Sequence, residues 1–185
     1  MKFYVVGGER PEKIEKIWLT DEVERLRRMS TVCVTVDVFP ICEGRIVAFW
    51  RTLEPMANMW LTSGGAMKVG ESPNESAVRI FEGDTGLERK PEDFQYIHNG
   101  KAPDQYLMLV KSPLGDYWRQ DSCLYYALVI TPKELANIKL SPKEFDPKKI
   151  KLFTFNEAVE KTLKGELEGR FGLYASHLLK SGLIF

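Results

Sequence analysis

Ser72-Pro73-Asn74-Glu75 opens a helix and Gly86 closes it, so the stretch between them is committed to one backbone state at both ends. A serine N-cap accepts an N–H from the first turn. Proline at the first helical position gives up a donor the helix would not use, and Glu75 reaches back to complete a capping box. Glycine just past the last turn takes the left-handed conformation that ends a helix. Glu75, Arg79 and Glu82 fall on one face at spacings of four and three, where exposed ion pairs can form. Ala77, Ile80, Phe81 and Asp84 fall on another, apolar except for its acid. Asp84 sits in the last turn, where the helix dipole disfavours an anion by about 0.3–1 kcal/mol. Either solvent satisfies it or a partner compensates it. A divalent cation is one such partner, because Asp84 and the carbonyls of Gly64-Gly65 are the hard oxygen donors that Mg²⁺ or Mn²⁺ takes. Gly83 in the helix interior costs about 1 kcal/mol against alanine, which points either to fraying or to a close approach there.

Around this helix the pattern is mostly strand. Val32, Val34, Val36 and Val38 alternate with Thr31, Cys33, Thr35 and Asp37, the period-two signature of a strand, and Glu43-Gly44 turns the chain into a second strand over 46–50. Further strands are expected at 60–63, 94–98, 106–110, 124–130 and 150–155, with helices at 157–163 and 167–179. Thr20 can cap a short helix whose buried stripe is Val23, Leu26 and Met29. The soft boundary near it leaves 1–19 as an N-terminal extension and 20–185 as one domain. Strands interrupted by a single helix suit an α+β sandwich with a mixed sheet better than a doubly wound parallel one.

Lys plus Arg and Asp plus Glu each number 26, so no overall field holds a polyanion, and nucleic acid is not an expected partner. No window approaches the roughly 20 apolar residues of a membrane span, and residues 1–10 lack the order of a signal peptide. Cys33, Cys42 and Cys123 are odd in number, far apart and form no C-x-x-C pair. They read as reduced, packed thiols, which fits a cytoplasmic protein.

Gly65, five residues, Glu71, seven residues, Arg79 and then Gly86-Leu87 resembles the Nudix box G-x5-E-x7-R-E-U-x-E-E-x-G-U, where U is bulky and apolar. The frame is kept without insertion. The resemblance implies the Nudix fold, a mixed β-sheet sandwiched between α-helices, and a helical carboxylate face that binds Mg²⁺ around a diphosphate. Here the three carboxylate positions read Ile80, Gly83 and Asp84, so the box is degenerate. The run from Arg51 to Gly65 and the R-I-F-E-G-D-T-G-L ending are similar to the GDP-mannose mannosyl hydrolase branch, over roughly residues 21–163. That branch implies a single Mg²⁺ (or Mn²⁺), attack by water at the sugar's anomeric carbon, a nucleoside diphosphate-linked small molecule as substrate, and a homodimer. By position, Arg51 and Arg79 hold the diphosphate, Asp84 and the Gly64 carbonyl ligate the metal, and Glu71 braces the loop, in a motif completed by Gly65 and Gly86.

Two departures stand out. Where the branch has a third ligand followed by a histidine base, this chain reads Glu144-Phe145, and phenylalanine accepts no proton. The arginine that follows the glycine pair there is Ala66 here. Glu144 is therefore a candidate for both ligand and catalytic group, and His98 is a candidate base, with an ordinary hydrogen-bonded strand histidine as its alternative. His177 reads as structural, and Asp146 as a loop acid between Pro142 and Pro147. The loop 115–120 brings together Trp118 and Arg119, suited to stacking on a base or equally to a surface or interface patch. Three readings remain open: a nucleoside diphosphate derivative hydrolase, a Nudix-fold module that binds a nucleotide or a protein without turnover, and a structural subunit facing a partner through Trp118.

Overall fold

The computed structural model describes residues 22, 32–54, 56–97, 106–111, 118–167 and 169–181, with side chains at 106–111, 118–120, 169, 170, 173, 177, 180 and 181 outside that description. The expected helix after Thr20 and the extension 1–19 lie outside the described residues, apart from Glu22, which is helical. Eight strands form one mixed sheet. Strand β1 (Cys33–Cys42) runs parallel to β7 (Trp118–Val129), from Cys33 opposite Asp121 to Ile41 opposite Val129, and every other pairing is antiparallel. Glu43 and Gly44 both adopt positive φ and turn β1 into β2 (Arg45–Arg51), as a tight hairpin requires.

The strand expected over 60–63 is two strands. Short β3 (Met59–Leu61) pairs with β2, and β4 (Ser63–Ala66) pairs with β1, Val38 facing Ser63 and Asp37 facing Gly64. Between them Thr62 donates its hydroxyl to the Val38 carbonyl. One run of sequence thus serves two neighbouring strands, a crossing that period-two reading does not detect.

Helix α1 (Pro73–Thr85) carries the caps read from sequence. Ser72 accepts from Glu75, the capping box is complete, and Gly86 at φ 70° donates its N–H to the Glu82 carbonyl. Ala77, Ile80 and Phe81 bury one face of α1 against Val36 and Val38 of β1, Val47 and Phe49 of β2, and Tyr126 and Leu128 of β7. The opposite face of the sheet carries Phe39, Ile41, Ile46, Ala48 and Tyr125. It is closed by α3 (Phe155–Leu163) and α4 (Gly169–Ser181) through Ala158, Phe171, Tyr174 and Leu178. Phe39 packs on Phe171 and Tyr174 with ring centroids 5.5 and 3.7 Å away. Strands β1, β2 and β7 therefore send alternate side chains into two cores, and the helix–sheet–helix sandwich follows. Because β1 is covered on both sides, Thr35 and Asp37 are buried beside the valines, while Val32 and Val34 at the strand's open start are exposed.

Other boundaries differ from expectation for local reasons. Strand β5 is only Gln95–Tyr96, preceded by a single 3-10 turn at Pro91–Asp93, and β6 is Tyr106–Lys111. Strand β7 starts at Trp118 rather than 124, because the polar run Arg119-Gln120-Asp121-Ser122 hides a strand whose pairing with β6 holds it. The expected loop 115–120 is thus strand from Trp118 onward. Strand β8 (Phe145–Phe153) begins five residues early and tolerates Pro147, since among the described residues it pairs with β2 alone. A short helix α2 (Pro132–Ala136), capped by Thr131 and Glu134, has too few residues to show a period. Cys33, Cys42 and Cys123 are buried thiols. Among the described residues no helix is long and apolar enough to cross a membrane.

Candidate functional site

The C-terminal end of α1 is fastened to two other elements. The Thr85 and Asp84 carbonyls, which a helix end leaves unpaired, accept the N–H groups of Lys139 and Ser141 at 2.8 Å each. The turn beyond Ser141 carries Glu144, whose carbonyl accepts from the Thr52 N–H at 2.8 Å and the Thr52 hydroxyl at 3.1 Å. Glu144 Oε2 also accepts from Arg51 Nη1 at 2.9 Å, and Arg51 Nε donates to the Leu53 carbonyl at 2.8 Å. The end of β2, the turn before β8 and the end of α1 so converge, and Asp84, Glu144 and Arg51 meet where they do.

Strand β4 supplies the fourth side. Ser63, fully buried, donates its hydroxyl to Asp84 Oδ2 at 2.5 Å. The Met67 N–H bonds the Val34 carbonyl at 3.0 Å across the β1–β4 ladder. Antiparallel pairing alternates, and a residue's N–H and C=O point the same way, so those of Gly64 turn away from β1. The Gly64 N–H bonds the Asp84 carboxylate, which places the Gly64 carbonyl on that same open side. Glycine is needed at this position for a different reason. A Cβ there would run into the Asp37 carboxylate, whose Cγ would stand 3.1 Å away.

Burial pushes the Asp84 carboxyl up to about 6 and the nearby Glu144 charge adds to it; the Ser63 hydroxyl, Arg51 and the Gly64 N–H oppose both without cancelling them. Negative charge is therefore in excess at this junction. Among the described residues no three or more His, Cys, Asp or Glu side chains gather as a metal cluster. A cation here would rest on Asp84, the Gly64 carbonyl and water, with Glu144 beside it. That is an all-oxygen set of the kind Mg²⁺ and Mn²⁺ accept, and the buried, under-compensated carboxylate fits such an ion.

A second cluster lies toward the start of α1. Arg79 Nε and Nη2 grip Glu71 Oε1 and Oε2 at 2.5 and 2.8 Å, and Nη2 also donates to the Ala66 carbonyl at 2.9 Å. Glu71 Oε2 accepts from the Lys68 N–H at 2.9 Å and the Ser76 hydroxyl at 2.7 Å. Burial alone would raise the Glu71 carboxyl, but Arg79, Ser76 and Lys68 outweigh it and hold it at about 2. Glu71 so ties the loop between β4 and α1 to the helix, with Arg79 as its partner.

Along the charged face of α1 the described contacts differ from the expected pairs. Glu75 caps the Ser72 N–H and Glu82 accepts from the Arg89 N–H, so Arg79 reaches past both to Glu71. Nor does Gly83 mark a close approach, since a Cβ there would meet nothing within 4 Å. Gly65 would place a Cβ 3.5 Å from Ile80, an ordinary contact. Phe145, at the position of the branch's base, is buried in the core with its ring 5.6 Å from that of Phe49. His98 lies outside the described residues. Trp118 and Arg119 enter β7 opposite Lys111 and Val110, with their side chains outside the description. Asp146 lies in β8 and accepts the Lys148 N–H at 3.0 Å. Ser63 was not singled out from sequence. Its only signal there is its place one residue before the glycine pair, on the strand face turned toward α1.

Comparison with known proteins agrees with this architecture. The chain is similar in structure to an Enterococcus faecalis MutT/nudix family protein (TM-score 0.51, 19% identity, 67% of this chain), of whose length it spans 44%. It is also similar to a C. elegans Ap4A hydrolase (TM-score 0.57, 12% identity, 82% of this chain and 100% of that one). The NUDIX domain of Shewanella oneidensis NrtR, solved with ADP ribose, gives a TM-score of 0.58 at 11% identity over 88% of this chain and 99% of that one. No curated protein matches. The model of the NUDIX domain family matches residues 31–171, from the start of β1 into α4, and the chain belongs to that family.

Proposed function

We propose that the protein is a Mg²⁺- or Mn²⁺-dependent hydrolase of a nucleoside diphosphate derivative, with a nucleotide sugar such as a GDP-sugar as the nearest substrate class. The observation that carries this reading is the junction of Asp84, Gly64, Arg51 and Glu144. It combines an under-compensated buried carboxylate with a guanidinium and a second carboxylate. Structural relatives described as an Ap4A hydrolase and as bound to ADP ribose support the diphosphate class. When bound, the metal would neutralise charge on the departing diphosphate. Asp84 and the Gly64 carbonyl would hold it, with the hydroxyl of Ser63 fixing the carboxylate. Arg51 has five N–H donors, two of them engaged with Leu53 and Glu144, and the remainder suit phosphate oxygens. Glu144, tied to Arg51 and 34% exposed on its side chain, is placed to orient a water and take its proton. Arg79 acts at one remove, by keeping the loop before α1 in shape.

The test is a panel of nucleoside diphosphate derivatives incubated with Mg²⁺ or Mn²⁺, read by product analysis. At least one should be cleaved, and Asp84→Asn should abolish cleavage with its fold intact. Cleavage that survives the substitution rules out the metal role. A second reading, a module that holds a nucleotide without turning it over, is favoured by Phe145, which is buried and cannot serve as base. Calorimetry would then show tight nucleotide binding with no product over hours.

A further inference from the structure

We infer that Ser63 is the positioning residue of a one-carboxylate cation site, a role that rests on the metal reading above. The helix face that would present three acids presents one, since Ile80 and Gly83 hold the other two positions. A lone aspartate at a helix end has its own side-chain torsions to settle and no neighbouring acid to share an ion with. Here strand β4 settles them. Ser63 pairs with Val38, so its side chain falls on the same sheet face as that valine, which packs against α1, and its hydroxyl meets Asp84 Oδ2 at 2.5 Å. One residue on, the Gly64 N–H holds the same carboxylate. Two consecutive residues of one strand thus clamp Asp84 from the side on which the Gly64 carbonyl emerges. A carboxylate offers about four lone-pair sites, so two donors leave room for a cation.

The clamp is rigid because Ser63 is fully buried and paired in the ladder, and because Asp84 is itself fixed through its carbonyl to Ser141. Hydrogen-bond partners of metal ligands set ligand orientation, and losing one typically costs 10- to 100-fold in affinity. The hydroxyl is used here as a donor, which alanine lacks and a thiol supplies only weakly.

The experiment is Mn²⁺ titration followed by electron paramagnetic resonance on the full chain, wild type against Ser63→Ala and the size-matched Ser63→Cys, with Asp84→Asn as the no-ligand control. Melting curves on each variant separate lost binding from lost fold. We expect the wild type to bind, Asp84→Asn not to, and both Ser63 variants to bind about tenfold or more weakly while still melting cooperatively. Wild-type affinity in a folded Ser63 variant overturns the positioning role and leaves the metal reading standing. Failure of the wild type to bind Mn²⁺ overturns the metal reading itself, and this inference with it.

Discussion

Glu71 shows how much of the loop before α1 depends on one side chain. Its carboxyl, held at about 2 by Arg79, Ser76 and Lys68 against the pull of burial, lies below the usual 4.5. A depressed folded-state value stabilises the fold above the unfolded value, and that stability is lost as pH falls from 4.5 through 2. Glu71→Gln should therefore cost about 1–2 kcal/mol at pH 7, after allowing for partial solvent screening. The gap to wild type should shrink in urea denaturation as pH drops below 4.5; a gap constant with pH would assign the loss to packing. Gly83 makes the opposite case. It is exposed in a helix interior with open space around it, so Gly83→Ala should raise stability by about 0.5–1 kcal/mol, measured by the same denaturation. Glu144→Gln keeps shape but loses the proton acceptor. It should lower kcat by about 10²-fold or more with little change in KM, and an unchanged kcat would move the base elsewhere.

Among elements, α1 was legible almost in full because its ends are local chemistry. Ser72, Pro73, Glu75 and Gly86 specify caps without reference to the rest of the chain, and Gly86→Ala, forced to φ 70°, should cost about 1 kcal/mol by thermal melting. The hairpin of β1 and β2 was legible for the same reason. The junction was only half so. Asp84 announced itself as an uncompensated acid, and Glu144 and Arg51 entered by resemblance. What brings them together is a turn bolted to a helix end by backbone bonds from Lys139 and Ser141, which no side-chain pattern records. Ser63 is not marked by the sequence because a serine closing the expected strand 60–63 carries no local sign of its partner, which lies 21 residues away. The reading of Gly83 failed because a helix glycine has two causes, crowding or tolerance, and sequence does not separate them. The start of β8 is hidden in the sequence because Pro147 looks like an end, though among the described residues the strand pairs with β2 alone.

Taken whole, the molecule is a mixed sheet sealed by two cores, with α1 over one face and α3 and α4 over the other. Its formal net charge of zero leaves ligand attraction to the local groups at the junction rather than to a global field. A ligand bound there should stabilise the entire fold through mass action, by about 2.7 kcal/mol at a hundred times its Kd. Mn²⁺ together with a nucleoside diphosphate should therefore raise the melting temperature of the wild type and leave that of Asp84→Asn unmoved. The position of a bound cation is the most direct test of the metal reading. Crystals grown with Mn²⁺ and a nucleoside diphosphate, measured above the manganese absorption edge, should show an anomalous peak within coordination distance of both the Asp84 carboxylate and the Gly64 carbonyl. A peak bound elsewhere, with Asp84 held only by Ser63 and Gly64, would contradict it.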